Sequence, residues 1–260
     1  MKLCANISLL FTERPMLERF SAARDCDFNA VEIQFPYTED LAELVLRQKD
    51  AEIATPLINV PAGDLMSGGC GLASHPKRRD SFKRAVEQAM VYAETLKIEK
   101  VNLLAGCTDP ASELEHHYDT FLENLNYCAD QFNSLGITTV FEAINTEDMP
   151  GFLIHSTEQM LQVIKDLNHN NVAMQYDLYH MSKMKQPISE QLPQIIEHIG
   201  HIQFADTPDR HQPGSGNMPF EELMTQIKGL NYQHWVGAEY KPSAITEDSL
   251  AWMSYFERSD

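Results

Sequence analysis

The sequence predicts one closed α/β barrel of the (β/α)8, or TIM, type, with residues 1–260 forming a single domain. Three observations lead there. Apolar runs of strand length alternate eight times with segments of helical spacing, the pattern of a parallel sheet joined by crossover helices. No linker, composition break or low-complexity tract divides the 260 residues. Polar side chains also stand at the ends of four later runs, Glu142, Asp177, Gln203 and Glu239, which suits the rim of a barrel and has no rationale in an open doubly wound sheet.

The elements follow in order. The first strand is KLCANI, Lys2–Ile7, and Met16, Leu17, Phe20 and Ala23 mark a helix within Pro15–Cys26. AVEIQF, Ala30–Phe35, is the second strand; Leu41, Leu44, Val45 and Gln48 mark its helix, with Thr38 or Asp40 as the cap. Ile53–Val60 is the third strand. The Gly-rich stretch PAGDLMSGGCGLASHP after it delays the next helix to about Pro76, and a loop this long in a compact fold is expected to cover a site. Its glycines match neither GxGxxG nor a phosphate loop.

A helix over Lys77–Leu96, a strand over Lys100–Gly106 and a helix over Glu113–Leu135, stopped by Gly136, come next. His116 and His117 in that helix read as a surface pair. Thr138–Phe141 is the fifth strand, followed by a helix over Ser156–Leu167 capped by Ser156. Val172–Tyr176 is the sixth, running straight into Asp177 where a loop is expected to begin; its helix spans Pro187–Ile199. His201–Phe204 is the seventh strand, with a helix over Phe220–Lys228 beyond a long loop, and Trp235–Ala238 is the eighth, with a last helix over Thr246–Phe256.

Composition narrows the function. An apolar fraction of 43% and a charged fraction of 22% describe an ordinary folded protein. The net charge of −18, from 38 acidic and 20 basic residues, repels phosphate backbones and anionic membranes. Nucleic acid and membrane partners are therefore not expected. Five cysteines, odd in number and without a CxxC pair, fit reduced thiols in a cytoplasm and offer no thiolate zinc motif. MKLCANISLLF is too short and polar for a signal peptide, so a cytoplasmic location is expected.

In a closed barrel the ends of strands five to eight are neighbours, so Glu142, Asp177, Gln203 and Glu239 can converge. Three carboxylates at one point repel unless a divalent cation lies between them, and oxygen-only ligation favours magnesium or manganese over zinc. Two glutamates across such a cation suit proton transfer on a carbon acid: one removes a proton beside a carbonyl and the other returns it to the adjacent carbon. That is an aldose–ketose isomerisation. Arg210, in the loop after strand seven, can grip a substrate carboxylate through two parallel hydrogen bonds; a loop salt bridge is the alternative. Lys241 is a second candidate for carboxylate binding. His180 can bond a substrate hydroxyl or cap its loop.

ANISLLFTE, NVPAGD, FEAIN, MPGF, MQYDLYHM, HIQFADTPDRHQPGSG and VGAEYKP together make the chain, from about Asn6 to Trp252, resemble the hydroxypyruvate isomerase family of the xylose-isomerase-like barrels. The resemblance implies interconversion of hydroxypyruvate and 2-hydroxy-3-oxopropanoate (tartronate semialdehyde) without a nucleotide cofactor. It places the acid/base pair on Glu142 and Glu239 and a divalent metal on Glu142, Asp177, Gln203 and Glu239. In the related ketose epimerases a histidine stands where this chain has Gln203, and an amide oxygen is the weaker ligand. By the same resemblance His180 and Arg210 hold the substrate, a small hydroxy-oxo acid. A sister group isomerises 2-oxo-tetronates; PGFLIHS and YDLYHM lie nearer the hydroxypyruvate enzymes. A ketose 3-epimerase is the more distant alternative. DNA-repair barrels of the endonuclease IV type carry many strand-end histidines, which this chain lacks. A homo-oligomer is left open.

Overall fold

The structure, a computed structural model, describes residues 1–257. The last three residues of the expected unit, 258–260, lie outside the described residues. Eight parallel strands close into a barrel in sequence order: β1 Lys2–Asn6, β2 Ala30–Ile33, β3 Ala54–Asn59, β4 Lys100–Leu103, β5 Thr138–Glu142, β6 Val172–Asp177, β7 Ile199–Phe204 and β8 Trp235–Ala238. β8 returns to pair with β1.

Alternation along each strand sorts the side chains. Outward residues such as Val31, Ile33, Val101, Phe141, Tyr176, Ile202 and Val236 join the apolar faces of the surrounding helices in one buried cluster, each fully buried large side chain contributing roughly 1.5–3 kcal/mol. The covering helices are α1 Arg19–Asp25, α2 Leu41–Asp50, α3 Arg79–Leu96, α4 Leu114–Asn133 and α5 Thr157–Leu167 in the first half of the barrel. Of the two candidate caps for α2, Asp40 is the one that accepts from Ala42 N and Glu43 N. Ser156 caps α5 as expected, accepting from Gln159 N.

The second half departs from expectation in three places. No helix was expected directly after Asp177, yet α6 Leu178–Lys183 starts there, because the Asp177 carboxylate caps it through Tyr179 N and His180 N. The helix expected over Pro187–Ile199 is α7 Ile188–Ile195, followed by a 3-10 turn over Ile196–His198, because Ile199 is taken into β7 opposite Met174. After α8 Phe220–Gly229, the single helix expected over Thr246–Phe256 is instead two 3-10 turns, Glu247–Ser249 and Ala251–Met253, and the short α9 Ser254–Glu257. Trp252 explains the breaks: it is turned inward against Phe204, Phe220 and Tyr240, and that packing sets the path of the chain.

The interior of the barrel is polar where barrels of this class are usually filled by branched apolar residues. Asn6, Glu32, Asn102, Gln175, His201 and Gln203 are all buried there. Gly237 belongs to the same layer: a Cβ at that position would lie 2.6 Å from the Glu32 carboxylate, so glycine is what lets β8 approach it.

Candidate active site

Glu142 is the last residue of β5, Asp177 the last of β6, and Glu239 the first beyond β8; Asp177 pairs in register with Gln203 of β7. All four are buried. Glu142 and Glu239 line one cavity of about 200 Å³ together with His180, Arg210, Gln34, Asn59 and Asp148, and with Phe35, Met66, Leu104, Ile144 and Met149 on its apolar side. Met66 comes from the long Gly-rich loop, which therefore does contribute to the site's cover. Asp177 and Gln203 sit behind the lining. Lys241 is exposed and does not line the cavity; its backbone N–H donates to the Arg210 carbonyl at 2.7 Å.

Beneath the cavity one hydrogen-bonded chain links the two glutamates. Gln175 Nε2 donates to Glu142 Oε2 at 3.0 Å and to Gln203 Oε1 at 2.7 Å. Gln203 Nε2 donates to Glu32 Oε1 at 2.5 Å. Asn6 Nδ2 then donates to Glu32 Oε1 at 2.9 Å and to Glu239 Oε1 at 2.8 Å. Asn102 adds a donor to Glu142 at 3.0 Å, and Gln34 one to Glu239 at 2.8 Å. Each proposed acid/base carboxylate is thus held through one oxygen by two amide donors, and of the remaining oxygens that of Glu239 pairs with Arg210 while Glu142 Oε1 faces His180 at 3.7 Å. The amide of Gln203 is clamped from both ends, which fixes which way its oxygen points.

Arg210 ends in a salt bridge. Its Nη2 lies 2.5 Å from Glu239 Oε2 and 3.7 Å from Asp177 Oδ2, and the guanidinium stacks over the Tyr179 ring at 5.0 Å. Its Nε is buried and has no hydrogen-bond partner among the described residues. A guanidinium with donors to spare, facing a cavity, can still receive a substrate carboxylate. The loop that carries it is organised on Asp206, whose carboxylate accepts from Thr207 N, Gly214 N, Gly216 N and Met218 N at 2.8–2.9 Å. Arg210 itself has φ +60°, a conformation costing an L-residue roughly 1–2 kcal/mol, and this scaffold keeps it there.

His180 is buried on α6, with Nε2 3.7 Å from Glu142 Oε1 and 3.5 Å from Asp177 Oδ2. Burial, reinforced by Arg210, holds its pKa well below the usual histidine value. The carboxyls move the other way. Burial raises Glu142 well above the carboxylate range, with Glu239 and Asp177 adding to the effect. Burial pushes Asp177 up to about 7 against the pull of Arg210, and Glu239 is raised by burial despite its pairing with Arg210. Three buried acids share one cation, and that shortfall of positive charge is the electrostatic signature of the site.

The residues fit a divalent cation. Asp177 Oδ2 is buried without a hydrogen-bond partner among the described residues, and the donor set is oxygen-rich, as hard cations require. Ligand atoms of Glu142, Asp177 and His180 all lie within 4.8 Å of one another. Cys4, Glu32 and His201 form a second such group. There the Glu32 oxygens already accept from Asn6, Gln203, His201 and Cys4, and burial together with Glu32 raises the Cys4 thiol well above its usual value; that cluster reads as a satisfied polar core.

Several residues that build the site were not among those singled out from the sequence. Asn6, Glu32, Gln34, Asn102, Gln175 and His201 carried a signal, a polar residue at every second position of otherwise apolar strands. Asn145, Asp148 and Asp206 lie in loops and carried none. His117, expected on the surface, is buried: its Nδ1 faces the Ser74 carbonyl at 2.9 Å and its Nε2 accepts from Asp109 N at 3.0 Å. It ties the Gly-rich loop to α4, which is why an apparently superficial histidine points inward.

Comparison with known proteins gives concordant results. A family model described as a xylose isomerase-like TIM barrel matches residues 20–256. The hydroxypyruvate isomerase of Escherichia coli K12 is 38% identical over 253 residues, 97% of this chain and 98% of the relative. A 2-oxo-tetronate isomerase of Pectobacterium atrosepticum is 32% identical over 96% of both. A solved structure titled AP endonuclease, family 2, from Brucella melitensis superposes with a TM-score of 0.94 at 34% identity, covering 97% of this chain and 98% of the other. Among the described residues no helix is long and apolar enough to cross a membrane.

Proposed function

Because the chain belongs to the xylose isomerase-like TIM barrel family, we propose that it is an isomerase of small hydroxy-oxo acids, interconverting hydroxypyruvate and 2-hydroxy-3-oxopropanoate. The observation that carries this reading is the placing of Glu142 and Glu239 on one cavity of about 200 Å³ with Arg210 between charge partners. The volume lies below the roughly 300–1,000 Å³ of pockets for drug-sized ligands and suits a substrate of a few carbons.

In the reaction one glutamate carboxylate takes a proton from the hydroxymethyl carbon of hydroxypyruvate, leaving an enediolate. The other glutamate delivers a proton to the former carbonyl carbon, and the hydroxyl hydrogen passes between the two oxygens, so atoms and charge balance. Arg210 receives the substrate carboxylate, and His180 bonds an oxygen of the reacting pair. The apolar side of the cavity limits water around the enediolate. Glu142, Asp177, Gln203 and Glu239 would hold a magnesium or manganese ion, which when bound acidifies the carbon acid by polarising its oxygens. No nucleotide is needed, because hydrogen moves as a proton.

A 2-oxo-tetronate is the second reading, favoured by the 32% identical relative of that name. Purified protein assayed on hydroxypyruvate and on 2-dehydro-tetronate is expected to prefer the former in kcat/KM. Reversed preference would transfer the assignment, and no turnover of either would remove it.

The cation has its own test. Asp177, pushed up to about 7, has an unfolded value near 3.9. The folded state therefore holds the extra proton between those values; this contribution to stability is complete below about pH 4 and is lost as pH rises through about 7, on the order of 4 kcal/mol for that group with no ion bound. In chelator, the thermal midpoint is expected to fall from pH 5 to pH 8. Magnesium or manganese should raise it at pH 8 and scarcely at pH 5, where protons compete. An absence of any cation-dependent rise at pH 8 would remove the metal from the proposal.

A further inference from the structure

Asn145, three residues beyond Glu142, does not line the cavity, yet it determines what His180 presents to it. Its side-chain oxygen accepts from Glu147 N at 3.1 Å and Asp148 N at 2.8 Å. Those two backbone donors fix the orientation of the amide. The nitrogen must then be Nδ2, and it donates to Asp148 Oδ2 at 3.0 Å and meets His180 Nδ1 at 2.7 Å. The Asn145 backbone N–H points at the same ring atom from 3.4 Å. Asp148 Oδ2 is held in turn by the Tyr179 hydroxyl at 2.8 Å, so the arrangement does not depend on His180 for its own geometry.

Two N–H groups directed at Nδ1 leave no room for a proton there. We propose that Asn145 is the positioning residue that locks His180 in the Nε2–H tautomer, so that the ring enters the isomerisation as a neutral hydrogen-bond donor to a substrate oxygen and not as a base or a metal ligand. Coordination through Nε2 would require a lone pair where the proton now sits. His180 is thereby separated from Glu142 and Asp177, although the three lie close enough to hold an ion: the carboxylates are the ligands and the ring is the donor. A neutral donor also suits an enediolate, since it stabilises developing charge on oxygen without competing for the proton that the glutamates exchange. This inference rests on the isomerase reading for its chemistry, but its structural half does not.

The test reads the tautomer directly. Nitrogen-15 NMR of histidine-labelled protein, with the His180 signals assigned by their loss in His180→Gln, is expected to show a pyridine-type Nδ1 and a protonated Nε2. Asn145→Asp preserves the two backbone caps, because a carboxylate oxygen accepts as well as an amide oxygen, but replaces the donor facing Nδ1 with an acceptor. The ring should then acquire a proton on Nδ1, and kcat should fall ~10–100-fold with a smaller change in KM, because a donor aimed at an oxygen that gains charge in the reaction is lost. Asn145→Ala, which removes caps and donor together, should lose less activity than Asn145→Asp. Because Asn145→Asp also sets a carboxylate oxygen against Asp148 Oδ2, the Nδ1 proton signal together with the kcat-against-KM split, and not the order of activities alone, separates positioning from a purely structural role.

A wild-type His180 protonated on Nδ1 would overturn the proposal. So would an Asn145→Asp protein that keeps the Nε2–H signal and full kcat. If the wild type shows the expected tautomer but turns over neither hydroxy-oxo acid, the isomerase reading fails while the locked tautomer stands; if Glu142→Gln is inactive and Asn145→Asp is not, the isomerase reading stands and the positioning role fails.

Discussion

Glu142→Gln and Glu239→Gln are each expected to reduce kcat on hydroxypyruvate by about 10³–10⁴-fold while leaving the protein folded. General acid–base groups contribute roughly 10²–10⁴-fold, and in the proposed reaction each glutamate would carry one of the two proton transfers. Folding should survive for a structural reason. Glu142 Oε2 accepts from Asn102 and Gln175, and Glu239 Oε1 from Asn6 and Gln34; a glutamine amide oxygen can accept the same bonds. Burial raises Glu142 well above the carboxylate range, with Glu239 and Asp177 adding to the effect, so Glu142→Gln should be as stable as the parent, or more so, at pH 8, whereas Glu239→Gln gives up the ion pair with Arg210 and should be the less stable of the two while remaining folded. Steady-state kinetics with thermal unfolding on the same samples separates the two effects. Near-normal turnover in either variant would take the proton-transfer role away from that residue.

Arg210→Met is expected to be damaging in two measurable ways. The guanidinium is the counter-charge of Glu239 and Asp177, and these carboxylates, with Glu142, hold the pKa of Arg210 above its usual value against the opposing effect of burial. Removing one partner of a buried ion pair costs about 3–5 kcal/mol. The loss should be largest near pH 8 and shrink toward pH 5, because the orphaned carboxyls can be neutralised by protons at low pH. The second effect is on substrate: losing a two-bond grip on a carboxylate should raise KM by roughly 10²–10³-fold, the equivalent of about 3–4 kcal/mol. Chemical denaturation at two pH values and KM for hydroxypyruvate check both. An unchanged KM would leave Arg210 as a counter-ion only, with the substrate carboxylate bound elsewhere.

Of the two sequence readings of Arg210, the structure shows the salt bridge; the grip on a substrate carboxylate belongs to the proposal that Arg210→Met tests. An arginine in a loop can face a ligand or pair with an acid; the barrel places it where it pairs with Glu239 and still has an unpartnered Nε. Asp177 divides its oxygens, Oδ1 capping α6 and Oδ2 lying 3.5 Å from His180 Nε2 and 3.7 Å from Arg210 Nη2. Lys241 could be separated from these only by coordinates, since it lies two residues from Glu239 and yet its side chain is exposed.

By itself, the order of residues determined the closed barrel, the span of most strands and helices, and the four strand-end positions, because these follow from the apolar period, caps and turn residues within a few positions of one another. Only the tertiary structure decided that Glu32 lies against His201 and Gln203, that His117 turns inward, and that Asn145 directs two donors at one ring nitrogen of His180. Those contacts join residues far apart in the chain, and barrel closure and register bring them together. Local pattern tells which face of a strand a side chain occupies, but not what stands opposite it across the interior.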